Sequence, residues 1–93
     1  DMGEQEYEKH EMHVLLMEAV GMLKDPDQKF VVIKRLQGYN SKDIALLLQK
    51  RWEKHNIVKY NNKKQMVVPD AAYVDVRMQR AKDNLEIILK KVL

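Results

Sequence analysis

The chain has 93 residues, enough for one small domain with a limited core. With 45% hydrophobic and 33% charged residues it reads as a folded chain rather than a disordered one, and having no Cys it holds neither a disulfide framework nor thiolate-bound zinc. The net charge of +3 conceals an asymmetry: residues 1–28 carry two basic against eight acidic side chains, and residues 29–93 carry fifteen against six.

That basic body, at +9, is the electrostatic footprint of a chain that meets a polyanion. A solvated lysine-rich surface is the competing reading of the same charges. Three Gly and two Pro leave few breaks, which favours helices over a many-stranded sandwich. No apolar run approaches the roughly 18 residues that span a bilayer, and no signal-peptide pattern opens the sequence, so a cytoplasmic protein with no membrane partner is expected. The start at Asp1, ahead of Met2, suggests a domain cut from something longer.

A first helix is predicted from about Glu6 to Leu23, with residues 1–5 frayed. Tyr7, Met12, Leu15, Leu16, Ala19, Met22 and Leu23 recur at the spacing of one buried face. Asp25-Pro26-Asp27-Gln28 is a start signal. Asp25 can cap, Pro26 has no N–H to leave unpaired, and Gln28 stands where a capping box takes Glu or Gln. The helix that follows is expected to turn Phe30, Ile33 and Leu36 inward, with Val31 and Val32 beside them, and to stop at Gly38 in a left-handed cap. Ser41 is expected to cap the third helix, whose apolar stripe of Ile44, Leu47, Leu48 and Trp52 carries it to about His55 or Asn56.

Residues 57–69 change character. Ile57 to Tyr60 and Gln65 to Val68 have strand-forming composition around Asn61-Asn62, which predicts a small β-hairpin, an irregular basic loop being the alternative. The last helix is predicted after Pro69, capped by Asp70. Its seam of Val74, Met78, Ala81, Leu85, Ile88 and Val92 steps by four, three, four, three, four. The fold class expected is therefore mainly α: a single domain over residues 1–93, with four helices and a small β-hairpin insertion.

A helix-turn-helix needs a bracing helix and a second helix that buries one stripe while leaving polar and basic groups outward. The last helix meets that need, with Tyr73, Arg77 and Arg80 on other faces than the seam. Arginine pairs bidentately with guanine or clamps a phosphate, and Gln79 can read adenine. Leu23-Lys24-Asp25-Pro26-Asp27-Gln28, then Gly38-Tyr39-Asn40-Ser41-Lys42-Asp43-Ile44-Ala45, then Val74, Arg77, Met78, Arg80, Ala81, Lys82 and Leu85 follow in order. In that order they resemble the fourth, DNA-binding region of bacterial sigma factors over roughly residues 20 to 92.

The resemblance implies a helical domain that binds the upstream promoter hexamer while touching RNA polymerase. It places Arg77 and Arg80 at DNA or bracing the helix, and Ser41 near a phosphate. Two departures stand out: about twenty residues separate Gln49 from Asp70 where the family has a tight turn, and Asp75 stands in the first turns of the recognition helix. The insertion has its own basic content, and Lys59, Lys63 and Lys64 are expected to track phosphates as a wing, with Lys42 beside Ser41. Double-stranded DNA is thus the expected partner and transcription regulation the expected role. The alternatives are a protein-interaction module for RNA polymerase or another regulator, and a phage adaptor for packaging or recombination.

Other chemistries find little support. His10 and His13 share a helix side, but there is no His-Glu-x-x-His pattern, so no metal and no cofactor are expected. With no Cys nucleophile and no Gly-rich phosphate loop, no catalytic residue is expected and the chain does not read as an enzyme. The six Met residues read as core filler or, in the first helix, as an adaptable docking surface.

Overall fold

The structure, a computed structural model, describes the backbone of residues 2–92 and the side chains of residues 10–91. It has four helices among them: α1 (Met2–Gly21), α2 (Pro26–Leu36), α3 (Ser41–Lys54) and α4 (Ala71–Val92). No helix in this range is long and apolar enough to cross a membrane. α1 begins at Met2, four residues ahead of the start that its apolar spacing predicts. The Tyr7 and Val92 side chains of the predicted seams lie outside the described residues.

α4 is the spine, packed against each of the other three helices. Two buried clusters line it. One joins Ala19 and Val20 of α1, and Leu23 just after it, to Val32, Ala81 and Leu85; the other joins Val31, Ile44, Ala45 and Val74, and Met78 packs against both. The seam of α4 is therefore as its periodicity predicts, through Ile88. α2 is rotated from the expected face: Val31 and Val32 are buried, Phe30 and Ile33 are half-buried, and Leu36 is exposed. The cause lies in its polar first turn. Asp27 and Gln28 are both buried, so the inward face runs from them through Val31 and Val32, and apolar spacing alone does not see it.

Local chemistry sets the helix ends. Asp25 caps α2, accepting from the Asp27 N–H at 2.8 Å with Pro26 next to it. Gly38, at φ +97°, ends α2: its N–H donates to the Arg35 carbonyl at 3.0 Å and that of Tyr39 to the Lys34 carbonyl at 3.1 Å. This is the paired Schellman arrangement, and it requires the positive φ that glycine tolerates. α3 ends in the same way with Asn56 at φ 54°, the Asn56 and Ile57 N–H groups returning to Glu53 and Trp52.

Two expectations are corrected. Asn40, not Ser41, caps α3, because its side chain accepts from the Asp43 N–H at 2.9 Å; Ser41 is the first helical residue and its hydroxyl is free for tertiary bonds. The hairpin is absent: residues 55–70 form an irregular connector with one isolated antiparallel bridge, Tyr60 to Met66, and no strand is present among the described residues. The connector reverses through a wider turn than a two-residue hairpin allows. The Asn61 carboxamide accepts from the Lys63 and Gln65 N–H groups at 2.9 and 3.0 Å, and Lys64 takes φ 61°. These side-chain bonds replace the ladder that would have continued the pairing.

Candidate nucleic-acid interface

Beneath the candidate interface lies a buried carboxylate. Asp27, 3% exposed, accepts from Trp52 Nε1 at 3.1 Å, Lys59 Nζ at 2.8 Å and Tyr73 Oη at 3.0 Å. One side chain of α2 thereby ties α3, the connector and α4 together. Burial pushes the Asp27 acid upward, but the bonds from Lys59, Trp52 and Tyr73 outweigh it and hold the group below its ordinary 3.8. The Lys59 ammonium is likewise disfavoured by burial, yet its bond and ion pair with Asp27 raise it above 10.5. Burial and the neighbouring Asp27 charge raise the Tyr73 phenol, against an opposing pull from Arg77. Trp52 meets Tyr73 edge to face at 5.6 Å, Lys59 sits 5.1 Å from the Trp52 ring, and Arg77 stacks 4.3 Å from the Tyr73 ring.

A second bracket fixes the N-terminus of α3. The Ser41 hydroxyl donates to Asp75 Oδ1 and accepts from Arg35 Nη2, and Arg35 lies 3.9 Å from Asp75. Asp75 is thus a strut between α4 and the α2–α3 junction. Two turns further along α3, Gln49 Nε2 donates to the Pro69 carbonyl at 2.6 Å and anchors the connector just before α4. α3 is thus fastened to α4 through Asp75 at its start, and further along to the residues that lead into α4.

These contacts sort the predicted residues. Lys59 and Tyr73, both expected on DNA, each bond the buried Asp27. Arg77 is half-buried against Tyr73. Lys42, Lys63, Lys64 and Arg80 are exposed, and the first three form no ion pair among the described residues. Compared with protein-family models, with curated proteins and with solved structures, the chain matches none.

What the sequence reading missed on the outer face of α4, beside Gln79, is Ala72, Val76 and Asp83. Helical geometry puts Ala72, Val76, Gln79 and Asp83 opposite the buried Val74, Ala81 and Leu85, and all four are exposed. Gln79 Nε2 donates to Asp83 Oδ1 at 3.2 Å. Position relative to the seam identifies these residues, but Val76 and Ala72 resemble core residues by type and so gave no functional signal. Asp27 gave none either, because it reads as part of a helix cap.

Proposed function

We propose that this chain binds double-stranded DNA through a helix-turn-helix of α3 and α4, acting in transcription regulation in the manner of the sigma-factor region it resembles. The observation that carries the reading is the two-sidedness of α4. Its inner stripe is sealed in the core while its outer face offers Val76 and Ala72 for thymine methyls, Gln79 for adenine and Arg80 for guanine or a phosphate. Lys42 at the start of α3 and Lys63 and Lys64 in the turn of the connector are exposed and would serve as phosphate anchors. Asp75, a liability on a free recognition helix, is occupied by Arg35 and Ser41. Asp83 remains on the outer face and favours a second reading, a protein partner such as RNA polymerase on the same surface.

Selection of bound duplex from a random pool, followed by titration of the winner across salt, tests the proposal. An enriched motif is expected, with Arg80→Ala weakening it at least tenfold. Lys63→Ala/Lys64→Ala is expected to reduce the slope of log K against log salt by about 1.8, at about 0.9 per lost phosphate contact. Sequence-blind binding with a slope unmoved by the lysine pair overturns the DNA reading and turns attention to polymerase.

A further inference from the structure

The turn from α1 into α2 and the C-terminal half of α4 border a cleft of about 390 Å³, at the small end of the roughly 300–1,000 Å³ of ligand pockets. Its apolar wall is Leu23 and Ile88 with Met22 and Ile87, the last two 55% and 53% exposed. Its polar wall is Lys24, Asp25, Gln28 and Asn84. Gln28 stands where a capping box would turn it back to the Asp25 N–H, but its Oε1 instead accepts from Asn84 Nδ2 at 3.0 Å, across the fold. The residue is only 7% exposed, and among the described residues its Nε2 has no acceptor and Asn84 Oδ1 has no donor. Nor is Nε2 sealed in, since Arg51 Nε is the one unpaired side-chain atom closed to solvent among the described residues. It therefore opens on the cleft that Gln28 lines.

We infer that this cleft binds a free α-amino acid with an apolar side chain. Lys24 and Asp25 bring opposite charges to one cleft, and neither forms an ion pair among the described residues. A simple anion meets the Asp25 carboxylate there and a simple cation meets the Lys24 ammonium, whereas a zwitterion satisfies both. A wholly apolar ligand would cover the two carboxamides and leave them unpaired. The carboxylate of the amino acid takes Lys24 Nζ and Gln28 Nε2. Its ammonium takes Asn84 Oδ1 and Asp25 Oδ2, because Asp25 Oδ1 already caps the Asp27 N–H. Its side chain covers Met22, Leu23, Ile87 and Ile88, which removes apolar surface from water on both partners. The site shares no residue with the DNA reading, stands independently of it, and is measured with no nucleic acid present.

Amide NMR of the full chain provides the test, because the side-chain amides of Gln28 and Asn84 give resonances of their own. On titration with L-leucine or L-methionine both amides are expected to shift saturably, with a Kd on the order of millimolar, as befits a ligand of few atoms in an open cleft. Glycine keeps the two charges without the side chain, and N-acetyl-leucinamide keeps the side chain without the charges. Each is expected to bind at least tenfold more weakly than leucine. Lys24→Ala and Ile87→Asn change exposed side chains only, circular dichroism checks that each folds, and each is expected to weaken leucine at least fivefold. The absence of a saturable shift with both L-leucine and L-methionine overturns the inference. So does N-acetyl-leucinamide binding as tightly as leucine, or a leucine affinity unmoved by Lys24→Ala.

Discussion

Asp27 carries more of the fold than its place in a cap signal suggests. A carboxylate this buried survives only because three donors meet it, and removing its charge strands the Lys59 ammonium and weakens the Trp52 and Tyr73 bonds together. Asp27→Asn keeps the shape and is expected to cost about 1.5–3 kcal/mol, the range for hydrogen bonds to a charged group. The sign of the pH dependence follows from the depressed acid. Its contribution is complete above the ordinary 3.8 and is lost as pH falls through the lower folded value, because the unfolded chain takes up the proton first. Urea melts from pH 2 to 7 should therefore show the gap between wild type and Asp27→Asn widest near neutrality and narrowing below about pH 3.8. A gap constant with pH would show that the carboxylate contributes through shape and not through charge. None of this was legible in the sequence, since the partners stand 25, 32 and 46 residues away.

At the scale of the element, helix starts and stops were largely written in the chain, because a cap is local chemistry. Asp25-Pro26, Gly38 and Asp70 each act where they stand, the last accepting from the Tyr73 N–H at 2.8 Å. Ser41 shows the limit: Asn40 and Ser41 are both good caps, and only Arg35 and Asp75, reached through the fold, decide that the serine serves elsewhere. The connector shows another limit. Strand-like composition specifies extended segments, but the Asn61 side chain closes a broad turn and leaves one bridge where a ladder was expected. The two Schellman ends make a matched test of backbone strain. A Cβ added at Gly38 meets nothing within 4 Å, so the cost of Gly38→Ala is conformational alone and is expected at about 1 kcal/mol. Asn56 occupies the same motif at φ 54°, and Asn56→Gly is expected to raise stability by a few tenths of a kcal/mol, roughly the relief of that strain. Thermal melts read both, and equal signs would contradict the account.

Over the whole molecule, the periodic seam of α4 made the architecture legible and left the candidate interface only half visible. The outward cations could be named from the sequence, but which of them a buried acid claims was decided by tertiary contacts. The same seam explains how a small chain behaves as one unit. Its core is two clusters, one around α1 and the far half of α4 and one around α3 and the near half, and α2 feeds Val32 to the first and Val31 to the second. Met78 packs on both, so it transmits the folding of each to the other. Met78→Ala is expected to cost about 2 kcal/mol, the lower end for truncating a core methionine because the side chain is only half-buried. Its more telling effect is on cooperativity. Trp52 is the only tryptophan and sits at the α3 end, so its fluorescence follows one cluster while far-ultraviolet dichroism follows all four helices. In the wild type the two urea transitions should coincide, as for a two-state domain. In Met78→Ala the dichroism should begin to fall first, as α1 and the end of α4 come apart ahead of the Asp27-tied half. Coincident transitions in the variant would mean that α2 alone couples the clusters.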